Sequence, residues 1–364
     1  MMDNVRCKCV MGGDNKALDL MKFIMAYAVV LLHCHAFIDY NELVDFFVTD
    51  VLTRIAVPFF FICSGWLLFR KMPVGEIDFS RIRKSLNRLL KMYFYWTIVY
   101  IPLICYEIIS SSIDGRQIAK NIVIFLRNCV MVGSYYHFWF LLSLMLGILL
   151  TTWMVKRKWS YRKMFLFTGI LYVVTLFAHS YYGVFVWLFP QDSFGFYIAH
   201  KLSKVFVTPR GFGMGPIFVL IGNWIAWYPI RWSLIKIRCF CLLFAAFYFI
   251  EAMLTYYMGV NPHNGQSYIM LVPLSLFVFM YVARVDIKLS KEGKVFRRLR
   301  QISMIVYCIH PLFLSMGMHC VKNKLVSISS FMMFVMVCIM SYLFSVIVLQ
   351  LSDKTRFTWL RYLT

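Results

Sequence analysis

The run Ala17-Leu-Asp19-Leu-Met-Lys22-Phe-Ile-Met-Ala-Tyr-Ala-Val-Val-Leu-Leu-His33-Cys-His35-Ala-Phe37 decides how the chain is read. As an α-helix rising ~1.5 Å per residue, a window of about 20 residues crosses ~30 Å, the thickness of a bilayer's hydrocarbon core. Lipid offers the backbone no hydrogen-bonding partner, so an apolar window of this length satisfies its own N–H and C=O groups by coiling into a helix. No small-residue cleavage site closes the run, and the expectation is a retained first span, not a signal peptide.

Working outward, the pattern recurs. Apolar windows at 17–37, 51–69, 89–109, 136–155, 164–182, 211–228, 239–258, 267–283, 302–320 and 329–351 are separated by short polar segments. Sixty-one per cent of the 364 residues are hydrophobic and 15% are charged, too little polar surface for a soluble chain of this length. The fold class expected is an all-α integral membrane bundle of about ten helices. It forms a single domain over 1–364, with cytoplasmic tails at 1–16 and 352–364.

The basic residues test this map. With the N-terminus inside, 28 of the 38 Lys and Arg fall on the cytoplasmic side, nine fall outside, and Lys22 lies within the first window. Lys and Arg concentrate in cytoplasmic loops, so the formal charge of +22 reads as membrane topology and not as a nucleic-acid surface. Most of the eleven cysteines sit inside apolar windows as small hydrophobes, and Cys7 and Cys9 have no nearby pair to complete a zinc site. No metal is expected. Two outer segments are too long for turns. Residues 110–135 hold an apolar stretch at 122–132, too short to span, which fits an interfacial or re-entrant helix; residues 183–210 carry Pro190, Asp192, His200 and Arg210.

Ionisable groups inside spans are costly and therefore informative. Lys22 and His33 are about three helical turns apart, within ~20° of one face and ~16 Å apart along the axis. Asp19 lies one turn from Lys22, where it can pair with it. His35 points away from His33, so only a distorted helix brings both to one pocket. A cation low and an imidazole high on one face suit a substrate channel, since histidine takes a proton from a hydroxyl near neutral pH. Snorkelling of Lys22 and a helix–helix hydrogen bond at His33 account for the pair equally well.

Five segments carry a family resemblance. Asp19-Leu-Met-Lys22, ten residues and His33 resemble the first-helix signature of the membrane acyltransferase-3 family, where an Arg or Lys precedes a catalytic His. Val57-Pro-Phe-Phe-Phe-Ile-Cys-Ser64-Gly65-Trp66 is similar to its second-helix segment, and Tyr136-His137-Phe138-Trp139-Phe140 to its "HLWF" segment. Arg210-Gly-Phe-Gly-Met-Gly-Pro and the residues to Gly222 resemble its "RNxxFxxxPFFxxG" stretch, and Tyr307-Cys-Ile-His310-Pro311 its closing "YxxHP" helix. Lys22 stands for the commoner Arg, Ser85 for the first member of an Arg-x-x-Arg pair ending at Arg88, and Gly211 for the usual Asn. The soluble periplasmic domain of some members is not expected here.

The resemblance implies a bacterial inner-membrane O-acyltransferase that moves an acyl group, usually acetyl from acetyl-CoA, to a sugar of a surface polysaccharide or lipid-linked precursor. It makes His33 the general base, with Lys22 and Asp19 beside it. Arg81, Arg83, Lys84 and Arg88 are assigned to the acyl donor, with Ser64 in the wall of the acyl channel. His137, Trp139, Arg210 and Glu251 are placed with the acceptor. Each has a plainer reading: positive-inside topology for the basic run, close helix packing for Ser64-Gly65, an aromatic belt for His137 and Trp139, a Tyr or Lys pair for Glu251. His310 reads as packing. Two other functions stay open: a transporter of small molecules such as serine, since membrane domains of serine racemases resemble this family, and a non-catalytic envelope-assembly component.

Overall fold

Helix starts are written into the sequence as short polar caps. The side-chain oxygens of Asn15, Asp78, Asp114, Ser233 and Ser329 accept from the backbone N–H three residues on, at Leu18, Arg81, Gln117, Lys236 and Met332, satisfying donors that a first turn leaves free. The computed structural model describes residues 15–178, 180–181, 190, 192–195, 197, 210–258, 267–285, 287 and 293–363. Cys7, Cys9, His200 and most of the outer segment 183–210 lie outside the described residues.

The elements in order are α1 (Lys16–Cys34), the short α2 (Glu42–Asp45), and α3 (Ala56–Phe69), reached through a π segment at Phe46–Val51 and a 3-10 turn at Leu52–Ile55. Then come α4 (Phe79–Ser110), α5 (Gly115–Met131), α6 (Trp139–Lys156), α7 (Tyr161–Ala178), α8 (Arg210–Trp227), α9 (Leu234–Tyr257), α10 (Leu271–Arg284), α11 (Gly293–Lys322) and α12 (Ser330–Ser352). A 3-10 segment, Thr355–Leu363, follows. No strand occurs among the described residues. Each of the ten apolar windows overlays a helix. Seven stretches among the described residues are long and apolar enough to cross a membrane, one of them running from Glu42 to Phe69. Phe212–Trp227 and Leu271–Arg284 are shorter, and α7 carries Arg162 and Lys163 in its first turn.

The outward surface is apolar where lipid is expected. On α9 only 17% of the apolar window is buried, and Leu242, Phe247, Ile250 and Leu254 are exposed. Such a surface is tolerable only against hydrocarbon. Inside, α8 lies between α3 and α6 with Phe218, Val219 and Leu220 fully buried. α1 packs along α11 in parallel: Asp19 pairs with Arg300 near one end and His33 stacks on His310 further along.

Contacts between helix ends sort onto two sides. On one, Asn15 donates from Nδ2 to the Ala283 carbonyl (2.9 Å), Trp227 from Nε1 to the Phe69 carbonyl (3.1 Å), and Lys156 sits over the Phe79 ring. On the other, the Ser330 N–H reaches Asp39 and Tyr106 meets His319.

The basic run expected as a loop is helical. Asp78 caps α4, and Arg81, Arg83, Lys84 and Arg88 lie on its first turns. The helix is 32 residues long, about 48 Å at 1.5 Å per residue. It outruns the hydrocarbon, so its basic beginning projects beyond the bilayer as helix. The stretch at 122–132 belongs to α5, none of whose residues is buried.

Candidate functional site

α1 stops at Cys34 because His35 takes a left-handed conformation (φ 45°, ψ 54°). Continued as a helix, residues two apart point ~200° from one another. The break brings both imidazoles to one cavity and corrects the expectation that His33 and His35 face apart. His35 donates from Nδ1 to Oδ2 of the buried Asp45 at 2.8 Å, while Oδ1 accepts from the Phe37 N–H at 3.1 Å. Asp45 thus fixes both the ring and the turn that carries it.

Two more imidazoles meet His33. The His310 ring stacks on it with centroids 5.4 Å apart and planes at 24°, and His137 lies 5.8 Å from His310. Pro311 helps set this arrangement. A proline inside a helix removes one ladder bond and crowds the preceding turn. At this point the Tyr100 hydroxyl donates to the Cys308 carbonyl (2.8 Å) and accepts from the Leu312 N–H (3.1 Å). His137 donates from Nε2 to the same Cys308 carbonyl (3.1 Å), and the Tyr307 hydroxyl donates to the His137 carbonyl (2.5 Å). His310 donates from Nδ1 to the Val306 carbonyl (3.1 Å).

Each of these two rings therefore has one nitrogen committed to backbone, and the other, His137 Nδ1 and His310 Nε2, is buried without a partner among the described residues. In a neutral imidazole that second nitrogen carries the lone pair. Among the described residues His33 makes no hydrogen bond; it touches Tyr136 (centroids 5.0 Å) and His310 through ring contacts alone. No group of three or more His, Cys, Asp or Glu among the described residues is placed to hold a metal ion.

The cavity holds ≈ 180 Å³ and is lined by His33, His35, Arg54, Tyr136, His137 and Trp139, with Thr175, Met214, Ser267, Tyr307 and three aliphatic residues. His33, His137 and Trp139, assigned to one site from sequence, thus share one lining. Lys22 is outside it. Its Nζ lies 3.4 Å from Asp19 Oδ1, Arg300 lies 3.4 Å from Asp19 Oδ2, and the Cys63 thiol lies against Lys22. The Asp19 pairing expected from spacing is present, in a buried cluster at the other end of α1. Ser64 is half-buried on α3, next to Cys63.

On α4, Arg81, Lys84 and Arg88 fall on one face at ~100° per residue and Arg83 on the other. Arg81 pairs with Asp78 (2.9 Å) and Arg88 lies close enough to Arg300 to feel its charge. Arg210 opens α8; its side chain lies outside the described residues. Glu251 does not line the cavity. It accepts from the backbone N–H groups of Ile269 (2.7 Å) and Met270 (2.8 Å) and from the Tyr181 hydroxyl, holding the chain just ahead of α10. Glu251→Ala is expected to leave these donors unpaired and lower stability by about 1–3 kcal/mol. Thermal unfolding in detergent checks this, and an unchanged midpoint would return Glu251 to the list of acceptor residues.

Sequence reasoning gives no place in the site to His35, His310, Arg54 or Arg300. The last two had a signal: Arg54 and Asp50 are four apart, where a helical pair forms, and Arg300 lies just before the window 302–320, at the same expected side of the bilayer as Asp19 near the start of 17–37.

Comparisons with known proteins place this architecture. An acyltransferase domain, acyltransferase-3, matches residues 15–350. An amino-acid racemase of Enterococcus faecalis is 25% identical over 350 residues, covering 93% of this chain and 45% of that protein. A serine/alanine racemase of Enterococcus gallinarum is 26% identical over 314 residues, covering 85% of this chain and 42% of that protein. The chain thus spans less than half the length of these curated relatives. No solved structure matches it. Its apolar helices are those of a multi-pass membrane protein, and with the match covering nearly its whole length the chain belongs to the acyltransferase-3 family.

Proposed function

We propose that this protein is a membrane-embedded O-acyltransferase that moves an acyl group, acetyl from acetyl-CoA, to a hydroxyl of an envelope or exopolysaccharide sugar. The observation that carries the reading is His33: an imidazole with no hydrogen-bonding partner among the described residues, on a cavity shared with His137 and Trp139. His33 takes the proton of the acceptor hydroxyl as its oxygen attacks the thioester carbonyl. The C–S bond then breaks, and the thiolate of coenzyme A takes up the proton as it leaves. General-base catalysis of this kind contributes about 10²–10⁴-fold.

The donor is assigned to the basic end. Arg81, Lys84 and Arg88 share a face of α4 and suit the phosphates of coenzyme A, with Arg83 behind them and Lys22, Asp19 and Ser64 on the way to His33. The acceptor is assigned to His137, Trp139 and Arg210. A bacterial inner membrane, ten spans and cytoplasmic ends go with this reading, supported by the sorting of basic residues and by helix-end contacts that join segments of the same side.

A second reading is transport of a small amino acid: the relatives are named for acting on amino acids, and buried imidazoles also serve proton-coupled transport. The test is the full chain in lipid nanodiscs with [14C]acetyl-CoA and a hexose-bearing acceptor, beside [14C]serine uptake into proteoliposomes. Label appearing on the acceptor is the expected result. Uptake without acetyl-CoA turnover would replace the acyltransferase with the transporter.

A further inference from the structure

The cavity that holds the imidazoles is also lined by Arg54, at the 3-10 turn before α3. Its guanidinium pairs with Asp50 one turn earlier; the two side chains are 12% and 1% exposed. The pair is incomplete, since Arg54 Nε and Asp50 Oδ2 are both buried without a partner among the described residues. Folded proteins pair nearly all buried polar atoms, and a half-satisfied buried pair that served structure alone would cost stability without return. Arg54 and His137 both line the cavity, each bearing one such nitrogen, and His310, which bears another, stacks on the cavity's His33.

We propose that Arg54 makes the cavity a binding site for a small group bearing one carboxylate, with the ligand's hydroxyl or amine turned to the imidazoles. The proposal deepens the acceptor site proposed above and rests on that reading only in taking this cavity as the place where the acceptor binds.

Charge and size select the class. The Arg54–Asp50 pair carries no net charge, so the site tolerates one added negative charge better than the two or so of a phosphomonoester. Planar guanidinium N–H groups fit a carboxylate's two oxygens. A volume of ≈ 180 Å³ is that of about six waters at ~30 Å³ each, room for a three- or four-carbon acid or for the carboxylate end of one uronic acid residue. The shared chemistry is a carboxylate with a hydroxyl or amine a few bonds away, and it has two sources, a free small acid or an acidic sugar.

Binding to the full chain in nanodiscs by calorimetry tests this with matched probes: glycerate against glycerol, L-serine against serinamide, glucuronate against glucose. At least one acid is expected to bind 10-fold or more tightly than its partner without the carboxylate. Glucuronate alone identifies the glycan source, and glycerate or serine the free acid. The double variant Asp50→Asn/Arg54→Gln, which removes both charges together, is expected to lose the preference. Equal binding within every pair, a preference that survives the double variant, or inorganic phosphate binding more tightly than every acid overturns the proposal. Should the double variant fail to fold, the wild-type pairs decide alone. Acetyl-CoA turnover measured on the same preparation keeps the two readings apart. Carboxylate binding without turnover retains the site and removes the acyltransferase, and turnover without carboxylate preference does the reverse.

Discussion

Replacing His33 with alanine is expected to lower acetyl-CoA-dependent transfer by about 10²–10⁴-fold, the share of a positioned general base, with only a modest loss of thermal stability. The two halves of that expectation have separate grounds. The imidazole shares a cavity with aromatic and polar groups, so its removal takes away the group that accepts the hydroxyl proton. It makes no hydrogen bond among the described residues, so truncation strands no buried partner. What is lost is ring contact with Tyr136 and His310, worth about 0.5–1.5 kcal/mol per pair. Lys22→Ala differs: it strips a buried cation from Asp19 and leaves that carboxylate to Arg300 alone, so stability and rate should fall together. Initial rates beside unfolding midpoints, wild type against both variants, check the pattern. A folded His33→Ala protein with near-normal turnover would remove His33 as the base. Loss of kcat and kcat/KM in equal proportion would mean that the interaction acts in the transition state.

The parts of this site legible in the sequence are those set by helical periodicity. Lys22 and His33 share a face of α1, and Asp19 pairs with Lys22, because a continuous helix leaves no other arrangement at those spacings. The windows along the chain were equally legible, since each apolar run must coil in lipid. What escaped depended on a departure from periodicity or on contact between distant segments. His35 joins the cavity only because one residue turns left-handed, held there by Asp45 ten positions away. His310 looked like mid-span packing. Its ring meets His33 from 277 positions along the chain, beside a proline whose disturbance of the ladder falls where Tyr100 and His137 bond. Arg54 is in the sequence no more than one of the nine outer basic residues, because it sits on a 3-10 turn that follows a π segment, ahead of the regular helix α3. The run Arg81–Arg88 was read as a loop for the opposite reason: hydropathy ends at the bilayer, and α4 does not.

The largest structural effect is expected at the crossing of α3 and α8. A Cβ on Gly65 would stand 2.5 Å from the Val219 carbonyl oxygen and 3.2 Å from its Cα; one on Gly222 would stand 2.7 Å from the Trp66 amide nitrogen and closer still to the Ile62 carbonyl. The obstacle in each case is backbone, which cannot rotate away as a side chain can. Helices in lipid gain little from hydrophobic exclusion and associate through such close packing of small residues. Gly222→Leu must therefore push α8 off α3, at a cost at or above the upper end of the roughly 1–3 kcal/mol typical of overpacked cores. The same displacement reaches the site, because Val57 on α3 and Met214 on α8 both line the cavity. The expected result is a large fall in the yield and unfolding midpoint of Gly222→Leu, with turnover lost in whatever protein remains folded. Gly169→Leu on α7, where an added Cβ meets nothing within 4 Å, is the control and should behave as wild type. If the two leucine variants unfold alike, the close crossing does not hold the bundle together. The spacing that brings Val57 and Met214 to His33 must then be set elsewhere, with the α1–α11 contact that carries the His33–His310 stack next in line.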